Sequence, residues 1–107
     1  MGDKAWKRTE RTIAARLNGQ RVPITGRARG SAPDIAHPWL SIEVKHRKRL
    51  PLWLLEALDQ ARAAATDRQM PICILHQAGE RHDNDLVLMR MSDFVAWFGS
   101  VEIEHIY

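Results

Sequence analysis

One cysteine in 107 residues excludes an internal disulfide. Cys73 sits in the apolar run Pro71-Ile72-Cys73-Ile74-Leu75, where it is expected to serve as a buried small hydrophobe in a reducing, cytoplasmic setting. No apolar run approaches the roughly 20 residues of a membrane span, and the N-terminus is charged and not signal-like, so no membrane partner is expected. No glycine-rich loop carries the spacing and the following lysine of a nucleotide P-loop, which excludes an NTPase reading and leaves no small-molecule cofactor to expect. There is no internal repeat and no low-complexity linker, and the length suits one core, a single domain over residues 1–107. Acid is scarce at the front: the first 49 residues hold 12 Lys and Arg against 4 Asp and Glu, a balance of +8. The remaining 58 hold 4 against 9, a balance of −5, so the net charge of +3 hides a strongly basic half.

Two of the few acids in that half stand in a suggestive arrangement. Asp34 lies in Pro33-Asp34-Ile35, and nine positions later comes Glu43-Val44-Lys45. Asp34–Ala36 and Ser41–Lys45 read as strands, joined by a turn at His37-Pro38-Trp39-Leu40, where Pro38 cannot continue a ladder. A hairpin centred there pairs Ala36 with Ser41 and Asp34 with Glu43. Alternation then puts Glu43 and Lys45 on one face, with Asp34 opposite Glu43 and Val44 turned away. Opposed like charges repel unless a cation lies between them, and carboxylates are ligands that Mg²⁺ prefers. An acid pair with a neighbouring lysine is thus a recipe for metal-assisted phosphodiester cleavage. The bland alternative is a set of solvated or salt-bridged strand-end acids.

Three further features favour the first reading. Lys4–Asn18 reads as a helix with Asp3 as N-cap and Asn18-Gly19 as stop; its apolar stripe is Trp6, Ile13 and Leu17, and Glu10 lies within that stripe. A carboxylate facing a core must be paired or metal-bound; a salt bridge to Lys7 or a snorkelling side chain would also satisfy it. Arg27, Arg29, Arg47, Lys48 and Arg49 flank the acids, as suits a polyanionic substrate, although a run such as His46-Arg47-Lys48-Arg49 is commonly a solvated loop. The loop Gly26-Arg27-Ala28-Arg29-Gly30-Ser31 offers glycine, guanidinium and hydroxyl groups to phosphate.

In this order the features resemble the PD-(D/E)XK nuclease superfamily, most closely the archaeal-type Holliday-junction resolvases. Those have a helix with an early Glu, a strand, an Arg/Gly/Ser loop, a Pro-Asp-Ile-like strand, a Glu-Val-Lys strand and a helix carrying a Gln. The matching positions are Glu10, Arg29-Gly30-Ser31, Pro33-Asp34-Ile35, Glu43-Val44-Lys45 and Gln60, so the resemblance runs from about Glu10 to Leu75. The chain is short for the family, and its C-terminal third carries no matching motif. The resemblance implies an α/β, restriction-endonuclease-like domain with a central mixed β-sheet flanked by helices. It also implies a Mg²⁺-dependent endodeoxyribonuclease, with Mn²⁺ able to substitute, acting in DNA recombination and repair on branched DNA as a homodimer. Asp34, Glu43, the Val44 carbonyl and Glu10 would hold the metal, and Lys45 would complete the catalytic set. Arg27, Arg29, Gly30, Ser31, Arg47, Lys48 and Arg49 would bind DNA, and Gln60 would support the site. Another small nuclease of the superfamily, cutting single-stranded, flap or duplex DNA, remains an alternative, as does a non-catalytic nucleic-acid-binding module.

The coarse order is αβββαββα. A strand is expected around Gln20–Thr25. Pro51 opens a second helix with core stripe Leu54, Leu58, Ala61 and Ala65; Trp53, Ala57, Gln60 and Ala64 form a second face, which suggests cover on two sides. Ile72–His76 and Asp85–Met89 read as strands. The intervening His82-Asp83-Asn84-Asp85 carries possible metal ligands but reads better as a polar hairpin loop. Ser92 is expected to cap a short helix, Asp93–Phe98, ended by Gly99. The alternating tail, residues 101–106, and the aromatics Phe94, Trp97 and Phe98 are candidate dimer surface.

Overall fold

The computed structural model describes residues 4–22 and 33–99. The chain divides into two compact units, Met1–Lys48 and Arg49–Tyr107.

In the first unit, α1 spans Ala5–Arg16. Its N-cap is Lys4, whose carbonyl accepts from the N–H groups of Lys7 (3.0 Å) and Arg8 (3.3 Å) and whose side chain makes no cap bond. The expected cap, Asp3, lies outside the described residues. At the other end Asn18 takes φ 57°, its N–H reaches the Ala15 carbonyl (3.4 Å), and the Gly19 N–H reaches that of Ala14 (2.8 Å). This pair of bonds closes a helix on a left-handed residue, the stop expected from Asn18-Gly19. Gly19 serves a different need. A Cβ there would lie 2.6 Å from Ile35 Cγ2 and 2.7 Å from the Ala36 carbonyl oxygen, so the helix end rests directly on the strand at Ile35–Ala36. Asn18→Ala is expected to destabilise by about 1 kcal/mol, because alanine gives up the asparagine's tolerance of this backbone region, whereas Asn18→Gly is expected to be neutral or better. Chemical denaturation of the two variants checks this.

Strand β1 (Gln20–Arg21) pairs antiparallel with β2 (Ile35–Ala36), Gln20 opposite Ala36 and Arg21 opposite Ile35. On the other side of β2, Ile35 forms an antiparallel bridge with Ile42, and the Asp34 N–H donates to the Ile42 carbonyl at 3.0 Å. The Ile35–Ile42 pair is the one derived from the turn at Pro38. The strand expected at Ser41–Lys45 is reduced to this single bridge. The reason is local: the Asp34 side chain takes the Val44 N–H (2.7 Å), so the chain beyond Ile42 bonds to a carboxylate and not to a ladder. Ile35 is wholly buried, and Ala14 of α1 is buried with it. His37 Nε2 donates to the Leu17 carbonyl (2.7 Å) while its Nδ1 accepts from the Trp39 N–H (3.3 Å), which pins the turn to the end of α1. Of the expected Gln20–Thr25 strand, residues 23–25 lie outside the described residues, as do the loop at 26–31 and the tail at 101–106.

In the second unit, α2 spans Leu52–Ala64. Pro51 stands one position before the first helical residue, in the N-cap place, its carbonyl accepting from Leu54 (3.1 Å) and Leu55 (3.4 Å). Leu58 is buried and Leu54, Ala61 and Ala65 are half-buried, as the stripe required. The second face is largely open: Trp53 is 57 % exposed, Gln60 and Ala64 are exposed too, and Ala57 is half-buried. β3 (Cys73–Leu75) pairs antiparallel with β4 (Leu86–Leu88), and α2 packs against β3. Cys73 is half-buried, less enclosed than expected. A short 3₁₀ turn at His82–Asn84 lies between the strands. α3 spans Met91–Phe98 and starts before the expected Ser92 cap, with Arg90 as the N-cap. The Arg90 carbonyl accepts from Asp93 (3.1 Å) and Phe94 (3.0 Å), and its guanidinium holds Asp59 of α2 at 2.8 Å. Arg62 of α2 also pairs with Asp93, so two ion pairs join α2 to the start of α3.

The protein is thus a small mixed α/β chain with three α-helices and two small antiparallel sheets among the described residues. The expected central mixed sheet is not formed there. Strands of two or three residues offer few ladder bonds, and each sheet closes on its sequence-local partner.

Candidate active site

Glu10 lies mid-way along α1 and is buried, as its place in the apolar stripe demanded. Its partner is not Lys7 one turn earlier but Arg21 on β1, whose Nε donates to Oε1 at 2.7 Å. The same guanidinium lies 5.8 Å from the centre of the Trp6 ring, with the Lys7 ammonium 5.5 Å from that ring. The buried carboxylate is therefore neutralised by a hydrogen-bonded cation that itself stacks near an aromatic ring.

Asp34 is also buried, and its Oδ2 accepts the Val44 N–H. Glu43 and Lys45 contrast with it. Their side chains are 61 % and 70 % exposed and stand 3.9 Å apart, close enough to share a face but too wet for the pair to contribute much stability. His46 Nδ1 lies 2.8 Å from Thr9 Oγ1, and that hydroxyl donates to the Ala5 carbonyl at 3.1 Å. A hydroxyl has one proton, so here the imidazole Nδ1–H is the donor to Thr9. This bond ties the segment after Val44 to α1. Between them opens a cleft of about 260 Å³ lined by Trp6, Glu10, Val44, Lys45, His46 and Arg47.

Alternation along an ideal strand places His46 on the face away from Lys45. Both line the cleft because the chain has left the ladder, so period two no longer governs side-chain direction. Trp6 was not among the residues expected at the site, although its place one turn before Glu10 on the same stripe was the available signal. Arg47, Lys48 and Arg49 are exposed, with Arg47 Nη1 donating to the His46 carbonyl at 3.1 Å. Gln60 is exposed on α2 of the second unit. Arg27, Arg29, Gly30 and Ser31 lie outside the described residues. A larger cleft of about 400 Å³, between the end of α2 and residues 69–72, is lined by no titratable side chain and so offers no acid–base chemistry.

The expected metal donors, three carboxylates and the Val44 carbonyl, are all oxygen, which is the chemistry Mg²⁺ takes. Their ligand atoms are not gathered at one point. Glu10, Asp34 and Glu43 do not form a set whose ligand atoms lie within 4.8 Å of one another; the one such set among the described residues is His76, His82 and Asp85. Glu10 faces Arg21, Asp34 holds a backbone N–H, and Glu43 turns to solvent beside Lys45. In this arrangement Glu10 and Glu43 have cationic side chains beside them and the Asp34 carboxylate accepts a backbone N–H.

No protein-family model, curated protein or solved structure matches this chain. The functional reading rests on the cleft and the sequence around it.

Proposed function

We propose that this chain is a DNA-cleaving phosphodiesterase of the PD-(D/E)XK kind, with a divalent-cation requirement and four-way junctions as its substrate. The observation that carries the reading is the Ile35–Ile42 register. Continued by one position, that register would set Asp34 across from Glu43, and Lys45 lines a cleft that Glu10 also lines. A basic flank, Arg47, Lys48 and Arg49, would grip the phosphate backbone through salt-sensitive contacts. The exposed Lys45 ammonium would stabilise charge developing on the scissile phosphate. A symmetric pair of cuts calls for a two-fold homodimer, and the 44 % exposed Trp97 on α3 is available surface for one.

A second reading is favoured by one observation. Glu10 and Asp34 already have nitrogen partners, as the acids of a non-catalytic nucleic-acid-binding module would. Incubating the protein with four-way junction, flap, single-stranded and linear duplex DNA, with Mg²⁺ or with EDTA, separates the readings. Cation-dependent cutting of the junction alone supports the resolvase reading. Equal cutting of other forms points to a different nuclease of this kind, and binding without cutting points to the module.

Lys45→Ala is expected to lower single-turnover cleavage by about 100-fold or more while leaving the fold intact, because the side chain is exposed and its role is electrostatic. Single-turnover rates beside circular dichroism check this. Unchanged cleavage would remove Lys45 from the chemistry.

A further inference from the structure

The second unit carries a cluster that the proposed nuclease chemistry does not use. His76 follows the last residue of β3 and Asp85 precedes the first of β4, so they extend the Leu75–Leu86 register by one more cross-strand position. The 3₁₀ turn at His82–Asn84 folds His82 back over this pair. The Asp85 carboxylate accepts on both oxygens: His76 Nδ1 lies 2.6 Å from Oδ1 and His82 Nδ1 lies 3.0 Å from Oδ2. The two imidazoles stack with centroids 4.3 Å apart and planes 30° apart. Three side chains from three positions thus converge, with ligand atoms all within 4.8 Å of one another.

We propose that His76, His82 and Asp85 form a binding site for a divalent transition-metal ion, with Zn²⁺ as its representative. Two imidazoles and one carboxylate are a borderline-soft donor set, which suits Zn²⁺, Co²⁺ or Ni²⁺ and not Mg²⁺. Tetrahedral ligands about 2.1 Å from Zn²⁺ stand about 3.4 Å from one another. The Nδ1–oxygen separations of 2.6 and 3.0 Å need to open by less than one ångström to admit the ion. His82 is 82 % exposed and can make that movement, while Asp85, at 14 %, is held in place. Ligation at Nδ1 moves each imidazole proton to Nε2, so the ion takes the place of the two hydrogen bonds. Three protein ligands leave a fourth position to water, and the exposed hairpin gives that water access to solvent. The ion would clamp the β3–β4 hairpin and present a Lewis-acidic centre on it.

The test is a Zn²⁺ titration of the full chain by calorimetry in a non-chelating buffer, repeated with Co²⁺ to read its visible absorption. One ion per chain is expected, and the Co²⁺ spectrum is expected to be that of a nitrogen- and oxygen-ligated centre. His82→Ala and Asp85→Asn are each expected to weaken binding by more than about 100-fold. Circular dichroism confirms that the exposed His82 variant still folds. Asp83→Asn, which removes an exposed acid of the same turn outside the ligand set, should leave Zn²⁺ affinity unchanged. Binding that is absent, seen only at millimolar metal, or equally tight in both hairpin variants would overturn the proposal.

Discussion

Asp34→Asn and Glu43→Gln are each expected to cut strand cleavage by at least about a thousandfold, with DNA affinity kept or raised. Asparagine presents an amide oxygen where Asp34 Oδ2 now accepts the Val44 N–H at 2.7 Å, so the segment leading to Lys45 keeps its anchor while one negative charge is lost. Glu43 is largely solvent-exposed, and its amide variant removes charge without opening the core. Loss of a negative charge beside a polyanion favours association, so a binding gain beside a cleavage loss is the signature of an acid acting in the chemistry. Plasmid nicking and filter binding on the same preparations read both quantities. Cleavage at the wild-type rate in either variant would remove these acids from the site.

Ile35→Ala is expected to cost about 2–5 kcal/mol, enough to unfold much of the first unit. Ile35 is the wholly buried side chain at the centre of that unit: β1 pairs on one side of it, Ile42 bridges it on the other, and Gly19 closes on its Cγ2. Small domains hold only about 5 kcal/mol in total, so one such cavity takes most of the margin. Hydrogen exchange along α1 reads the effect on that unit directly. Ile35→Val should cost only about 1 kcal/mol and retain protection. An alanine variant with wild-type protection would mean that the unit's core lies elsewhere.

Much of the first unit is legible in the sequence alone, because its determinants act over a few residues. Asn18-Gly19 ends α1 through one left-handed residue, and a turn at Pro38 between alternating segments sets Ile35 across from Ile42. Helical spacing by itself places Glu10 at the buried stripe. Each of these follows from backbone sterics or from the period of a single element. The core stripe of α2 is of the same kind, while the start of α3 is not: Arg90, held by Asp59, begins it where Ser92 was expected.

Which partner each polar group takes is set by where a second piece of backbone arrives, and the one-dimensional pattern carries no record of that. Glu10 bonds Arg21, eleven residues away on β1, in place of Lys7 on its own helix. The Asp34 carboxylate takes the Val44 N–H, which ends the ladder early and brings His46 into the cleft with Lys45. The same distinction separates the two metal readings. Glu10, Asp34 and Glu43 suggest a common ion through their order in the chain, yet each meets a nitrogen donor in space. His76, His82 and Asp85 look like the polar ends of a hairpin and its loop. Only the 3₁₀ turn, folding one imidazole onto the other above a shared carboxylate, brings their ligand atoms together.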